Sequence, residues 1–394
     1  MGGLILTPGI ECTTSSTEHY SVYVAKSNDQ NSECPETEAL FASPYVCGAL
    51  FFQHHMMAYD KTQGKMVAQA HADIKKTVEK VRAVNQGRMS KGIEPISCMF
   101  DAEPEPVAGR RYFSNPRHWP EETAERIKQI SMWLKQDKVD EFLHREIDTK
   151  KCYPLLPSNQ SVGELAQIDR SLAIDISEII GLITGRVMGS LGINVLYAPV
   201  CDLQAEAFAE RCYGKEADIV VDLATSWARG ALSQRGIDQI CLKHAPGHGV
   251  KINQGKSDQQ DTHNAKCQTD ASIENIEKHM KVFTEVVNRL LGYGVPKSAI
   301  NVMTNHIRYL EIDSNDVVSC SQKSMQFIRD RLPSGIGCVA DCINMASYGG
   351  SQEGFVDQLE KTLSLHDAGV IATTHYVKRM TRRELIQACE SFHG

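Results

Sequence analysis

The sequence lacks the features that would place it in several specialised classes of protein. No apolar run approaches the roughly 18 residues that a membrane-spanning helix needs, so we expect no membrane partner. The net charge of -7 is modest and spread along the chain, which argues against a nucleic-acid partner. The chain has 394 residues with 42% hydrophobic content, which is enough for one large core or two small domains. We expect a monomer or a homodimer.

The cysteines and the first residues also lack the patterns of a secreted protein. The chain has 13 scattered cysteines and no Cys-x-x-C. Several lie in apolar runs: Cys98, Cys201, Cys241 and Cys338. Because disulfide scaffolds suit short chains, these residues favour reduced thiols in a cytoplasmic protein. Residues 1–10 are apolar but have no basic flank and are interrupted by Pro8, which favours a first strand over a secretion signal.

The most informative segment that is present lies at 243–249 and reads Lys-His-Ala-Pro-Gly-His-Gly. It is followed, after a polar stretch, by Asp-Thr-His at 261–263. The proline and glycines block helix and strand just after an apolar run, so charged groups emerge where a buried strand ends. An Asp-x-His pair lets the carboxylate fix the tautomer of the imidazole, and histidine titrates near neutrality. The combination indicates acid–base chemistry, although any one of these histidines alone would be interpreted as structural.

Strand-like and helix-like patterns alternate along the chain. Short apolar, β-rich runs predict eight strands, at residues 4–6, 46–52, 96–100, 194–198, 239–242, 299–303, 337–340 and 369–373. Helical spacing of apolar residues predicts helices at 71–84, 172–188, 222–233, 273–291 and 324–332. This alternation implies parallel strands with right-handed crossovers. We therefore expect an α/β fold, a single (β/α)8 barrel over residues 1–394.

Polar side chains directly follow five of the predicted strands. They are Asp101, Asp202, the pair Lys243-His244, the pair Asn305-His306, and Asp341. In a (β/α)8 barrel the C-terminal ends of the strands meet on one rim, and the active site lies there. The convergence of these residues on one rim predicts an enzyme.

Several motifs, in the same chain order, give the sequence a resemblance to a known family. The stretch 243–249 with 261–263 resembles the signature K-H-F-P-G-H-G…D-[ST]-H of family 3 glycoside hydrolases, in the bacterial β-N-acetylglucosaminidase branch. Further similar segments are 198–202 (A-P-V-x-D), 210–214 ([DE]-R-[SA]-[FY]-G), 303–307 (M-x-x-H-V), 339–345 (V-x-S-D-D-L-x-M) and 367–370 (D-A-G-x-D). The resemblance implies a retaining exo-β-N-acetylglucosaminidase that hydrolyses terminal β-linked N-acetylglucosamine, for example from cell-wall muropeptides.

The resemblance also implies the roles of the catalytic residues, and it implies no cofactor. Asp341 matches the nucleophile, which forms a covalent glycosyl-enzyme intermediate. His263, with Asp261 beside it, matches the acid/base of this branch. Without the motifs, Asp341 would equally be a helix cap for a segment that begins near Ile343, and 261–263 would be a solvated loop.

Five residues stand at or near positions where the family binds its small carbohydrate substrate: Asp101, Arg145, Arg211, Lys243 and His244. Carboxylates, arginine and lysine suit the recognition of sugar hydroxyls. Arg211 alone would also fit a surface ion pair. The register that brings Arg145 into this set is open, because Pro-Glu-Pro at 104–106 replaces the glycines and arginines of the family.

Residues 104–142 are predicted to form a helical insertion within the barrel. Their second half, 121–142, has apolar residues at helical spacing, but the segment is too short to bury a core of its own. We expect a lid beside the catalytic rim, with a dimerisation arm as the alternative. Cys342 replaces an acidic residue next to Asp341. We expect these differences from the family motifs to affect the identity of the substrate more than the type of reaction.

Three other functions stay open. A phosphorylase would use the same site, since a neutral histidine repels phosphate less than a glutamate does. A sugar-binding barrel without turnover is the second. The third is a metal site, built from His244, His248, Asp261 and His263. It is disfavoured because Pro246 and Gly247 prevent the helix that would put the first two histidines on one face.

Overall fold

Eight parallel strands close into a barrel. The computed structural model describes residues 4–6, 41–51, 58–60, 65–67, 71–103, 157–204, 211–248, 267–343, 345, 348, 352–372 and 390. The barrel strands are β1 (Leu4–Leu6), β2 (Val46–Phe51), β3 (Ser97–Phe100), β4 (Val195–Leu196), β5 (Gln239–Ala245), β6 (Ile300–Thr304), β7 (Gly337–Ala340) and β8 (Gly369–Ala372). Each strand pairs in parallel with its neighbours in the sequence, and β8 pairs with β1, so the predicted (β/α)8 fold is confirmed.

Helices lie between most successive strands, as parallel crossovers require. They are α1 (His71–Met89), α2 (Asn159–Ala166), α3 (Arg170–Leu191), α4 (Ala217–Leu232), α5 (Ile273–Gly292), α6 (Gln322–Arg329) and α7 (Gln352–Leu365). Four of them start at a capping side chain: Ser158, Asp169, Ser272 and Ser321. Each of these accepts a hydrogen bond from the backbone N–H three residues further on, which satisfies a donor that the helix leaves open.

The apolar residues form two layers. The larger layer lies between strands and helices and includes Trp227 of α4 and Phe283 of α5. The smaller one fills the barrel with buried side chains from alternate positions of the strands: Leu50, Met99, Val195, Tyr197, Cys241, Met303, Val339 and Ile371. Because inward positions recur every second residue, this inner layer fixes which of the following polar residues face the barrel mouth.

The predicted strands are all present, with differences at their ends. β5 runs to Ala245 rather than to 242, so the expectation that the irregular loop begins at Lys243 was wrong. Backbone bonds from Cys201 to Lys243 and from Asn305 to Ala245 keep these residues in the sheet until Pro246. β4 is shorter than the predicted 194–198, and Pro199 has no N–H with which to extend it.

The predicted helices are also present, and two more accompany them. α4 begins at Ala217 rather than at 222. The additional helices are α2 and α7, which the spacing of apolar residues did not predict. In the part of the chain that the structure describes, two small sheets lie outside the barrel, one pairing Gln268–Thr269 with Arg308–Tyr309 and one pairing Ala58–Asp60 with Lys65–Val67.

Some expectations concern parts of the chain beyond this description. The proposed lid at 104–142 lies outside the described residues, so the insertion and the extent of one domain over 1–394 stay predictions. No helix in the described ranges has the length and apolar character that crossing a membrane requires.

Candidate active site

The rim of the barrel continues the inward-facing pattern of the strands. Three buried side chains of the inner layer set this pattern: Met99 of β3, Cys241 of β5 and Val339 of β7. The next inward positions, two residues on, are Asp101, Lys243 and Asp341. Three strands therefore send charged side chains into one space at their C-terminal ends, as the sequence predicted.

An irregularity in β5 brings His244 to the same side as Lys243. In the pairing of β5 with β6, Lys243 stands opposite Met303 and Ala245 opposite Thr304, so the register shifts at His244. In a regular strand His244 would face away from the barrel interior. A bulge re-aims a side chain, and bulges are common next to active sites.

Four charged side chains form an ion cluster on one side of the rim. The ammonium of Lys243 contacts a carboxylate oxygen of Asp101 and lies 2.7 Å from Oε1 of Glu103. The guanidinium of Arg211 donates from Nε and Nη2 to the two oxygens of Glu103, both at 2.5 Å. This bidentate geometry fixes the plane of the guanidinium. Arg211 is thus paired with a buried carboxylate, not with one on the surface.

The pKa values of the two acids in the cluster, Glu103 and Asp101, are shifted in opposite directions. Burial raises the pKa of Glu103, but Arg211 and Lys243 outweigh it and hold that pKa well below its usual range. For Asp101, burial dominates over the attraction of Lys243, and nearby Glu103 adds to it, so its pKa is raised. Glu103 is therefore the permanent anion of the pair, while Asp101 is the easier of the two to protonate.

Asp202 fixes the orientation and the tautomer of His244. Burial opposes the charge of Asp202, but His244 and the N–H of His248 lower its pKa below the usual range. Nδ1 of His244 lies 2.7 Å from Oδ2 of Asp202 and must donate to it, since an ionised carboxylate only accepts. Nε2 then accepts from Nη2 of Arg211 at 3.3 Å. These two partners fix the orientation of the His244 ring.

His244 and His248 come together without a helix between them. Their ring centroids are 5.2 Å apart, and with Asp202 their ligand atoms lie within 4.8 Å of one another. Pro246 and Gly247 prevent a helix here, as predicted, but the expectation that the two histidines would therefore not share one side was wrong, because the turn folds around Asp202. Both oxygens of Asp202 already accept N–H groups, including the backbone N–H of His248 at 2.6 Å. A metal ion would have to displace these donors, so the arrangement fits a support for His244 better than a metal site.

Asp341 follows β7 directly and is buried and ionised. Its N–H donates to the carbonyl of Thr304 at 3.1 Å, and its Oδ1 accepts from the N–H of Cys342 at 2.7 Å. Burial works against its charge, but the neighbouring His244 and His306 lower its pKa below the usual range. Ile343 lies in a turn, and the next described helix begins at Gln352, so Asp341 does not cap a helix that starts at Ile343.

His306, which follows β6, holds the turn that carries Asp341. Its Nε2 lies 2.9 Å from the carbonyl oxygen of Cys342 and therefore donates, because a carbonyl only accepts. Its Nδ1 accepts from the hydroxyl of Ser319 at 2.6 Å. Burial lowers the pKa of His306, which keeps the ring neutral in this role.

The sequence predicted some members of this site and missed others. Asp101, Arg211, Lys243, His244 and Asp341 lie on one rim, as expected. Arg145, Asp261 and His263 lie outside the described residues, so their placement stays a prediction. Asp202 and His306 were predicted to lie on the rim but received no individual role, and Glu103 was missed, although it stands two residues after Asp101.

A closed parallel barrel with charged side chains on its C-terminal rim defines the (β/α)8 class of fold. Comparison with protein families makes this more specific. The profile of the glycosyl hydrolase family 3 N-terminal domain matches residues 128–371. The chain belongs to glycosyl hydrolase family 3, which confirms the resemblance seen in the motifs. The match begins inside the 104–142 segment and includes β4 to β8.

The chain is similar to several β-hexosaminidases. It is 26% identical to that of Chromobacterium violaceum over 200 residues, which cover 50% of this chain and 51% of the relative. For the β-hexosaminidase of Nitrosomonas eutropha the identity is 26% over 181 residues, covering 45% and 47%. The chain thus spans about half the length of the curated relatives it matches.

Solved structures show the same fold at lower identity. The family 3 β-N-acetylglucosaminidase of a Paenibacillus species superposes with a TM-score of 0.64 at 17% identity, covering 98% of this chain and 56% of that one. NagZ of Neisseria gonorrhoeae gives 0.61 at 15% identity, covering 98% and 83%. At these identities the superpositions show that the fold is shared.

Proposed function

We propose that the protein is a retaining exo-β-N-acetylglucosaminidase that removes terminal β-linked N-acetylglucosamine through a covalent intermediate on Asp341. The observation that carries the proposal is the position of Asp341. Its carboxylate is ionised, faces the barrel mouth after β7, and lies beside the ion cluster. A nucleophile of a retaining glycosidase needs these properties.

In the first step a carboxylate oxygen of Asp341 attacks the anomeric carbon as the bond from that carbon to the leaving oxygen breaks. His263, oriented by Asp261, gives its proton to the leaving oxygen. In the second step His263 takes a proton from water, the water oxygen bonds to the anomeric carbon, and the bond to Asp341 breaks. Two displacements on opposite faces of the sugar return the original β configuration.

The ion cluster supports recognition of sugar hydroxyls. Arg211 and Asp101 offer donors and acceptors in fixed directions, and His244 adds a ring whose orientation is set by Asp202. Pre-positioned charged partners suit hydroxyl groups because they need not reorganise on binding. The similarity to β-hexosaminidases supports N-acetylglucosamine as the glycone, and muropeptides as its source are part of the proposal.

The thiols support a cytoplasmic location as part of the proposal. Six buried cysteines in the described residues form no disulfide: Cys98, Cys201, Cys212, Cys241, Cys320 and Cys338. Burial raises the pKa of the thiols of Cys201 and Cys241 well above the usual range, which keeps them protonated. Unpaired thiols are typical of reducing compartments.

One activity panel tests the proposal. The full chain is assayed with an aryl β-N-acetylglucosaminide and an aryl β-glucoside, each with and without phosphate, and the first-formed anomer is read by NMR. We expect hydrolysis of the N-acetylglucosaminide to the β-anomer, independent of phosphate. Formation of a sugar 1-phosphate would identify a phosphorylase instead, and sugar binding without turnover would identify a non-catalytic barrel.

A further inference from the structure

The ion cluster has an outer pair and an inner pair. The side chains of Arg211 and Asp101 are 30% and 29% exposed, whereas those of Glu103 and Lys243 are 6% and 2% exposed. A sugar that enters the barrel mouth therefore meets Arg211 and Asp101. Glu103 and Lys243 lie beneath them and hold them in place.

Glu103 joins the two cations of the cluster. One of its oxygens accepts from both Arg211 and Lys243, at 2.5 and 2.7 Å, and the other accepts from Arg211 at 2.5 Å. Lys243 in turn reaches Asp101. Two acids and two bases thus cancel, and the cluster with all four groups ionised has no net charge.

The rest of the described rim is negative. Asp202 and Asp341 both have lowered pKa values, while His248, whose pKa burial lowers to about 3, is neutral. A sulfate, phosphate or carboxylate on the glycone would face these anions without an uncompensated cation in the cluster to receive it. Like-charge contacts of this kind exclude a ligand effectively.

We infer that Glu103 is a specificity-determining residue, which neutralises Arg211 and Lys243 from below and so restricts the site to uncharged sugars. The inference rests on the proposed sugar-binding role of this site and deepens it. Glu103 also acts as a positioning residue, since the bidentate contact sets the direction in which Arg211 presents its remaining N–H groups.

The test is the Glu103→Gln variant, which keeps the shape of the side chain and leaves the cluster with one net positive charge. Calorimetry measures Kd for N-acetylglucosamine, for N-acetylglucosamine 6-phosphate and for inorganic phosphate. We expect the parent protein to bind N-acetylglucosamine more tightly than its 6-phosphate. In the variant, the Kd of the 6-phosphate relative to that of N-acetylglucosamine should fall by about tenfold or more. The Kd for inorganic phosphate should fall by a similar factor.

Two further variants sharpen the test. Adding Lys243→Met to Glu103→Gln restores neutrality, so the preference for the uncharged sugar should return. Asp238→Asn removes an exposed carboxylate before β5, at the opposite end of the barrel, and should leave both Kd values unchanged. If Glu103→Gln does not fold, Asp101→Asn supplies the same change of charge in the outer pair.

Unchanged Kd ratios and unchanged phosphate affinity in a folded Glu103→Gln protein, or unchanged phosphate affinity in a folded Asp101→Asn protein, would overturn the inference. So would a parent protein that binds the 6-phosphate as tightly as the neutral sugar. A parent that binds no N-acetylglucosamine would instead contradict the proposed glycone. In that case the inorganic phosphate comparison still decides the role of Glu103.

Discussion

A carboxylate that attacks an anomeric carbon must be ionised before the sugar arrives, and the pKa of Asp341 lies below its usual range although burial works against the charge. Asp341→Asn keeps the shape of the side chain and removes its charge. We expect kcat to fall by several orders of magnitude, on the order of 10³-fold or more, while the protein stays folded. Steady-state kinetics together with circular dichroism measure this. A folded variant with a near-normal rate would end the proposal that Asp341 is the nucleophile.

The second residue-scale prediction concerns Asp261 and His263. A nitrophenolate leaves with little protonation, whereas an alcohol needs a proton, so the rate loss in His263→Ala should be far larger for a poor leaving group. Asp261→Asn should lower the rate less and shift the acid limb of the pH–rate profile. Rates on a series of aryl and alkyl glycosides give the comparison. Equal losses across the series would show that His263 has no acid/base role.

At the scale of elements, a residue that follows β6 fixes the turn after β7. His306 donates to the carbonyl of Cys342, and Ser319 fixes the tautomer that can do so. His306→Leu removes this donor, and we expect kcat to fall by about 10²-fold with little change in KM, because a small displacement of a reacting group is costly. His306→Gln retains an N–H donor and should recover much of the loss.

The kinetic pattern separates positioning from general damage. A displaced nucleophile slows every substrate, so His306→Leu should affect good and poor leaving groups alike, in contrast to His263→Ala. The comparison variant is His366→Gln, in which another buried histidine, bonded to Thr304 and Thr362, is changed. That variant should lower thermal stability rather than kcat. Equal kcat losses in His306→Leu and His306→Gln would contradict the role assigned to the donated hydrogen bond.

At the scale of the whole molecule, buried neutral histidines link stability to pH. Burial lowers the pKa of His279 and of His366 from 6.5 to about 4. Between these values the unfolded chain binds protons that the folded protein does not, so stability falls as pH falls from 6.5 to 4. The slope is about 1.4 kcal/mol per pH unit for each such histidine.

His279 offers the cleanest test of this linkage, since its buried Nδ1 has no hydrogen-bond partner among the described residues. In His279→Asn the titrating group is gone, so the fall in Tm between pH 7 and pH 5 should be smaller than in the parent. Differential scanning calorimetry at both pH values measures it. The same fall in both proteins would show that His279 does not contribute to the acid sensitivity.

The sequence predicted the barrel because each of its eight strands is a short apolar run, and the runs of β2 to β8 have buried side chains in both apolar layers. It could not predict the pairs that organise the site. Arg211 and Glu103 are 108 residues apart, and Lys243 and Asp101 are 142 apart, so no local spacing reveals these contacts. The position of His244 depended on a register shift in β5 that follows from pairing with β6.

The most direct test of the central claim is to trap the intermediate. A 5-fluoro glycosyl fluoride of N-acetylglucosamine slows both chemical steps but keeps a good leaving group, so a glycosyl-enzyme should accumulate. Intact-protein mass spectrometry should show the addition of one sugar, and peptide mapping should place it on Asp341, with no label in Asp341→Asn. Turnover of the aryl N-acetylglucosaminide with no trapped sugar, or with the sugar on another residue, would contradict the account.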